Sequence, residues 1–236
     1  MMGKTHRQGG ALSALTGYIY LKQAGYIPDD VFGPVVLGLI YPLAMYGTVW
    51  PDTDHNAHAN PLKDPVGKFS NLLLHPSTWF ERRKKVNGKL KPRSQFREKL
   101  SDKLDAKHRS KVTHSDATIL VILAVLYWVQ TLAGFSELNQ FVVSLFLVSF
   151  GLGIMAHLIL DGITPEGIWC TLGVLVNKIL FNGKKVLPEK LRLVPNRHYF
   201  ATGGKWEALV NKVLVWVSYF CILWIIYDAQ PYRITI

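Results

Sequence analysis

The chain has 236 residues, of which 49% are hydrophobic and 18% charged, with mean hydropathy +0.16 and a formal charge of +11. This balance excludes a disordered polymer and departs from an ordinary soluble domain, in which about 25% of residues are charged. Positive charge and apolar stretches are segregated along the chain, which points to a membrane before nucleic acid.

The N-terminal MMGKTHRQGG is basic and no small-residue cleavage site follows it, so no removable signal peptide is expected. Residues 11–27 form a first apolar segment, short for a span, with Lys22 placed to snorkel. Residues 31–50 form a second, kinked by Pro34 and Pro42. The polar stretch 51–116 follows. Within it, 82–111 carries thirteen Lys/Arg against Glu98, Asp102 and Asp105. Phe96, Leu100 and Leu104 lie four apart there, the spacing of a short amphipathic helix on headgroups. Aromatic interleaving is poor, so no specific nucleic acid is expected. Residues 117–134 and 140–160 are cleaner spans joined by FSELN, and 208–227 is the last. Residues 168–182 are too short for a full crossing and read as an interfacial or re-entrant helix. Cys170 and Cys221 lie in apolar stretches without a CxxC partner and read as small buried hydrophobes.

Five crossings place the N-terminus, the 51–116 loop and 161–207 on one side. Those regions, with Lys212 at the border, hold 25 of the 27 Lys/Arg, leaving Lys22 and Arg233 on the other. The positive-inside rule makes the rich side cytoplasmic.

Five polar clusters then fall on that same face: His6; Pro51-Asp52-Thr53-Asp54-His55; His108-Arg109 with Thr113-His114-Ser115; His157 with Asp161; and Glu207 after Gly203-Gly204. His157 and Asp161 are i,i+4 on a helix and project from one face, as two ligands of one metal do. His157 lies in an otherwise apolar run, where an ionisable side chain is costly and points to function. Asp52 and Asp54 align if their segment is extended, and two such carboxylates repel unless a cation sits between them. Thr113-x-x-Asp116 reads as a capping box opening the next helix, which places His114 at a helix start. Arg109 suits a phosphate or carboxylate oxygen. His58, His75 and His198 read as loop or surface residues. The bland alternatives are a hydrogen-bonded His157–Asp161 pair, turn chemistry in PDTDH and a lipid-facing Arg109. The candidate metal ligands are therefore His6, Asp52, Asp54, His55, His108, His114, His157, Asp161 and Glu207. They exceed one tetrahedral site and suit one to three divalent ions, zinc first, with manganese or iron as alternatives. No G-x-S-x-G, Walker A or dinucleotide fingerprint is present.

The order THRQGG, PDTDH, HRSKVTHS, HLILDGITPEG and GGKWE resembles the YdjM family, bacterial and phage inner-membrane proteins described as candidate metal-dependent hydrolases under LexA control. The family pattern falls on His6, on Pro51 to His55, on His108 to Ser115, on His157 to Gly167 and on Gly203 to Glu207. HRSKVTHS carries one residue more than the pattern's HRxxTHS. A more distant similarity, in ligand style, is to the all-helical zinc phospholipase C and P1 nuclease fold.

The expectation is an all-α polytopic membrane bundle of about five transmembrane helices. It forms a single membrane-embedded domain over 1–236, with a basic cytoplasmic insert at 56–107. An interfacial metal site on the cytoplasmic face of the inner membrane would hydrolyse an ester or phosphoester of a lipid, lipid-linked or small-molecule substrate. Asp52 or Asp54 would act as base and Arg109 would stabilise anionic charge. The competing expectation is a non-enzymatic membrane protein that binds anionic lipid or a protein partner and holds a structural metal. A transporter fits less well, because its ionisable groups would sit near the midplane.

Overall fold

The structure, a computed structural model, describes residues 3–27, 32–54, 85–86, 89–90, 113–131, 134–193 and 204–228. Contacts divide the chain into two units, one of residues 1–49 with 115–236 and one of residues 50–114.

In the first unit, six helices run in chain order: α1 (Gly3–Gln23), α2 (Phe32–Val49), α3 (Asp116–Thr131), α4 (Glu137–Gly162), α5 (Thr171–Leu180) and α6 (Lys205–Asp228). The described residues are therefore mostly helical. Helix α4 packs on α1, α2 and α3, and α1 also packs on α2 and α6. Among the described residues, two helices, α4 and α6, are long and apolar enough to cross a membrane. At 26 and 24 residues they span about 39 and 36 Å, against a hydrocarbon core of about 30 Å. Helix α1 has 21 residues but a polar first third, and α2 and α3 are apolar at 18 and 16 residues. At 10 residues, α5 spans only about 15 Å and is too short to cross.

Exposure is inverted relative to a water-soluble bundle. Trp216, Phe220, Leu223 and Tyr227 on α6 and Val121 and Tyr127 on α3 are exposed, whereas Thr5, His6, His157, Asp161 and Glu207 are buried. An apolar exterior around a polar interior is stable where the surroundings are hydrocarbon.

Small residues bring the helices together. A Cβ on Gly153 of α4 would collide with the Ala44 carbonyl of α2, and one on Gly47 would collide with the Phe150 carbonyl. Glycine at both positions lets the two backbones approach. On α1, a Cβ at Gly10 would strike the Thr48 side chain, and one at Gly9 would meet Leu160. Ala14 and Tyr18 of α1, Val36, Ile40 and Ala44 of α2, and Ile27 after the end of α1 form a buried apolar cluster.

Several boundaries differ from the sequence reading. Helix α1 starts at Gly3 rather than near residue 11, so His6 lies inside the helix. Each glycine in its interior costs about 1 kcal/mol of helix propensity, and the close packing they allow outweighs it. Helix α4 starts at Glu137, because the Ser136 hydroxyl accepts from Asn139 N and caps it. The Asp116 carboxylate, read from the sequence as part of its own helix's capping box, reaches another helix. It accepts from Thr171 N at 2.6 Å and Leu172 N at 3.2 Å, so it caps α5.

Two-residue strands add to the helices. β3 (Ile168–Trp169) pairs antiparallel with β4 (Lys190–Leu191), and Ser115 bridges to Trp169. In the second unit, β1 (Lys85–Val86) pairs antiparallel with β2 (Lys89–Leu90), which are joined in sequence by Asn87-Gly88, a pair favoured in two-residue hairpin loops. Pro51–Asp54 forms a turn of 3-10 helix in the same unit.

Candidate metal centre

One face of α4 carries Gly153, His157 and Asp161 at successive i,i+4 positions. The facing stripe of α1 carries His6 and Gly10 at the same spacing. Gly153 and Gly10 both abut α2, at Ala44 and Thr48, and three titratable side chains meet where the two stripes end. His6 is 3% exposed, His157 0% and Asp161 1%. His6 Nε2 lies 3.3 Å from Asp161 Oδ1, and His157 Nε2 lies 3.4 Å from Asp161 Oδ2. The two imidazole centroids are 3.8 Å apart, with the rings tilted by 43°.

The protonation pattern of His157 follows from its partner. Its Nδ1 lies 2.6 Å from the Thr48 carbonyl oxygen, which can only accept. Nδ1 therefore carries a proton and donates it to Thr48. In the neutral ring, Nε2 is then a lone pair aimed at a carboxylate oxygen. Two lone pairs facing each other at that distance repel unless a proton or a cation lies between them. A tetrahedral zinc ion with bonds of about 2.0–2.1 Å holds its ligand atoms about 3.3 Å apart. Each His–carboxylate separation is of that order, the two running to different oxygens of Asp161, and imidazole with carboxylate is a zinc-type donor set. A backbone carbonyl fixing the far nitrogen of a ligating His is the usual outer partner of such a ligand. His157 and Asp161 belong to a group of buried His and Asp side chains whose ligand atoms lie within 4.8 Å of one another and could hold a metal ion.

Surrounding contacts fix these groups. Thr164 Oγ1 donates to the Asp161 carbonyl at 2.7 Å and Thr164 N donates to the same oxygen at 3.0 Å, which closes the end of α4. Leu193 N donates to the Gly162 carbonyl at 2.8 Å. Glu207, in the first turn of α6, is buried, and its Oε1 accepts from Thr5 Oγ1 at 2.9 Å. This bond ties α6 to the turn of α1 that carries His6.

The second unit holds a pair of its own. His114 Nε2 lies 3.9 Å from Asp52 Oδ1, and His114 Nδ1 lies 3.0 Å from Thr113 Oγ1. His114 is buried and Asp52 partly so. The backbone at Pro51–Asp54 is a 3-10 turn rather than extended, so the alternation that would align Asp52 with Asp54 does not apply. Pro51 favours such a turn because its fixed φ suits a first helical position. The side chain of Asp54 lies outside the described residues, as do His55, His58, His75, His108, Arg109 and His198 and the amphipathic segment around Phe96.

Sequence reasoning passed over Thr48, Thr5, Gly47 and Gly153. A backbone carbonyl leaves no mark in side-chain chemistry. The only signal was positional: Thr48 lies just before Pro51-Asp52, and Gly153 lies one turn before His157.

No curated protein and no solved structure matches the chain. A family profile described as "YdjM inner membrane protein" matches residues 1–231, and every element described above falls within that match. The chain belongs to the YdjM family of inner membrane proteins.

Proposed function

We propose that this chain is a multi-pass membrane hydrolase that uses a divalent metal, zinc first, to cleave an ester or phosphoester of a lipid or lipid-linked substrate. The observation that carries the reading is the buried His6–Asp161–His157 group, in which the Thr48 carbonyl leaves His157 Nε2 as a ligand atom. When bound, the metal supplies Lewis acidity and lowers the pKa of water toward about 7. His6 and His157 donate imidazole nitrogens and Asp161 a carboxylate oxygen. Asp52 and His114 are the sequence's candidates for further ligands, and Asp52 or Asp54 for the base that takes the proton of the attacking water. Asp54, His55 and His108 are further candidates for these roles. Arg109 balances the developing negative charge. Glu207 holds α1 through Thr5.

In this reading α1, α2, α3, α4 and α6 are the five crossings, and the group would lie at the cytoplasmic headgroup level. The distribution of Lys and Arg and the apolar exteriors of α3 and α6 support that topology. At that depth a lipid headgroup bond is the nearest substrate.

The test is elemental analysis of detergent-purified protein beside a His157→Ala, Asp161→Ala double variant, followed by turnover assays on phosphoester and lipid substrates. Near-stoichiometric metal that drops in the variant, together with turnover that drops with it, supports the reading. Failure to retain any metal after reconstitution with zinc, manganese or iron refutes it.

A second reading has its own observation. The near-complete burial of His6, His157 and Asp161 favours a structural metal in a non-enzymatic membrane protein. A retained metal without exchangeable water, and without turnover across headgroups, would favour that reading.

A further inference from the structure

Residues 168–193 form a closed hairpin with α5 at its tip. Its base is the β3–β4 pair, extended by Cys170 N donating to the Glu189 carbonyl at 2.9 Å. The N-terminus of α5 is held by the Asp116 carboxylate and by Cys170 Sγ, which accepts from Gly173 N. Asn177, buried on α5, closes the return strand. Its Nδ2 donates to the Leu187 carbonyl at 2.8 Å, and its Oδ1 accepts from Val186 N and Leu187 N at 3.0 and 2.8 Å. The turn between them uses Asn182 and Gly183 at φ +50° and +80°, values that Asn and Gly adopt most readily.

These contacts decide which face of α5 is left outward. Gly173 and Asn177 face the return strand. The opposite face carries Leu172, Leu175 and Ile179, at 48, 49 and 64% exposure, and Leu180 and Phe181 at the helix end are exposed as well. Lys178 borders this stripe, and Lys184 and Lys185 follow in the turn. Across 171–193 the sequence has five cations, Lys178, Lys184, Lys185, Lys190 and Arg192, against the single acid Glu189, which pairs with Lys185. A helix that turns its small and polar side inward and its leucines outward gains by burying that face in an apolar medium. At about 15 Å it cannot cross one.

We propose that the α5 hairpin is an anionic-lipid binding element, lying in the plane of the leaflet with Leu172, Leu175 and Ile179 among the upper acyl chains and Lys178, Lys184 and Lys185 on headgroup phosphates. The occupant is the bilayer that holds α4, because the hairpin follows directly from the end of that membrane-length helix. Charge complementarity selects anionic headgroups. The inference rests on membrane residence and is independent of the hydrolase reading. Through Asp116, and through Leu193 bonding Gly162 next to Asp161, the docked hairpin is joined to α3 and to the end of α4.

The test uses the full chain with Cys170→Ser and Cys221→Ala, labelled with bimane at Ile179→Cys. It is reconstituted in vesicles of phosphatidylcholine alone or equimolar with phosphatidylglycerol. Depth is read with lipids spin-labelled at the headgroup, shallow acyl and deep acyl positions, and exposure is read with aqueous iodide. The expected result is strongest quenching by the shallow position, with iodide protection that rises with phosphatidylglycerol. Lys178→Glu, Lys184→Glu and Lys185→Glu should each weaken docking by about fivefold or more. Equal iodide access in both vesicles, maximal quenching by the deep label, or protection indifferent to phosphatidylglycerol would each overturn the proposal. Near-equal thermal unfolding of the lysine variants, whose altered side chains are exposed, separates loss of docking from loss of fold.

Discussion

His157 donates from Nδ1 to the carbonyl oxygen of Thr48 across 2.6 Å, joining the ends of α4 and α2 through one side chain. The same ring presents Nε2 to Asp161. The two nitrogens therefore have separable tasks, one architectural and one chemical. Asparagine reproduces a donor near the Nδ1 position but has nothing at Nε2. His157→Asn should thus keep thermal stability within about 1 kcal/mol of the parent, the typical worth of the retained bond. It should nevertheless lose most bound metal. His157→Ala should lose both. Calorimetry and elemental analysis on the same preparations check the pair, and metal retention in His157→Asn would remove His157 from the ligand set.

Close approach of α2 and α4 depends on glycines, and the effect is position-specific. Gly153→Ala places a methyl group against the Ala44 carbonyl, a backbone atom that cannot swing aside. Overpacking of this kind costs about 1–3 kcal/mol and should shift His157 relative to Thr48. Gly38, in the same helix pair, has open space at its Cβ position. Gly38→Ala should be neutral or stabilising by up to about 1 kcal/mol. Parallel melts of the two variants provide the comparison. Equal destabilisation would mean that the helices do not meet through Gly153.

Glu207 can act as a ligand or as a brace. Its Oε1 accepts from Thr5 Oγ1, a task that glutamine also performs. Glu207→Gln should therefore preserve melting temperature and metal content. Glu207→Ala should cost about 1–3 kcal/mol by stranding a buried hydroxyl. Metal loss in the glutamine variant would identify the carboxylate as a ligand instead.

At the far ends of α1 and α6, Lys22 Nζ meets Asp228 Oδ2 at 2.7 Å. Lys22 is thus paired rather than only snorkelling. Lys22→Met and Asp228→Asn should each destabilise the protein, and the double variant should fall short of their sum by about 0.5–1 kcal/mol. A double-mutant cycle in thermal unfolding measures this coupling, and strict additivity would deny the pair any role.

The sequence by itself determined the local features. Apolar runs of membrane length marked α4 and α6, because a spanning helix must satisfy its backbone internally and clothe it in hydrocarbon. The spacing of His157 and Asp161 placed both on one helical face, since 3.6 residues per turn brings i and i+4 together. The short length of 168–182 marked a helix that does not cross. Tertiary structure decided the rest. Helix α1 extends back to Gly3 despite poor propensity at Gly9 and Gly10, because these glycines pack against Leu160 and Thr48. Asp116 caps α5 across 55 positions of chain, a partner that no local pattern encodes. Pro51–Asp54 turns instead of extending, so alternation was the wrong period for its carboxylates. Above all, the tautomer of His157 depends on a carbonyl 109 positions away. Main-chain groups are the same at every residue, so their partners appear only when the helices are packed.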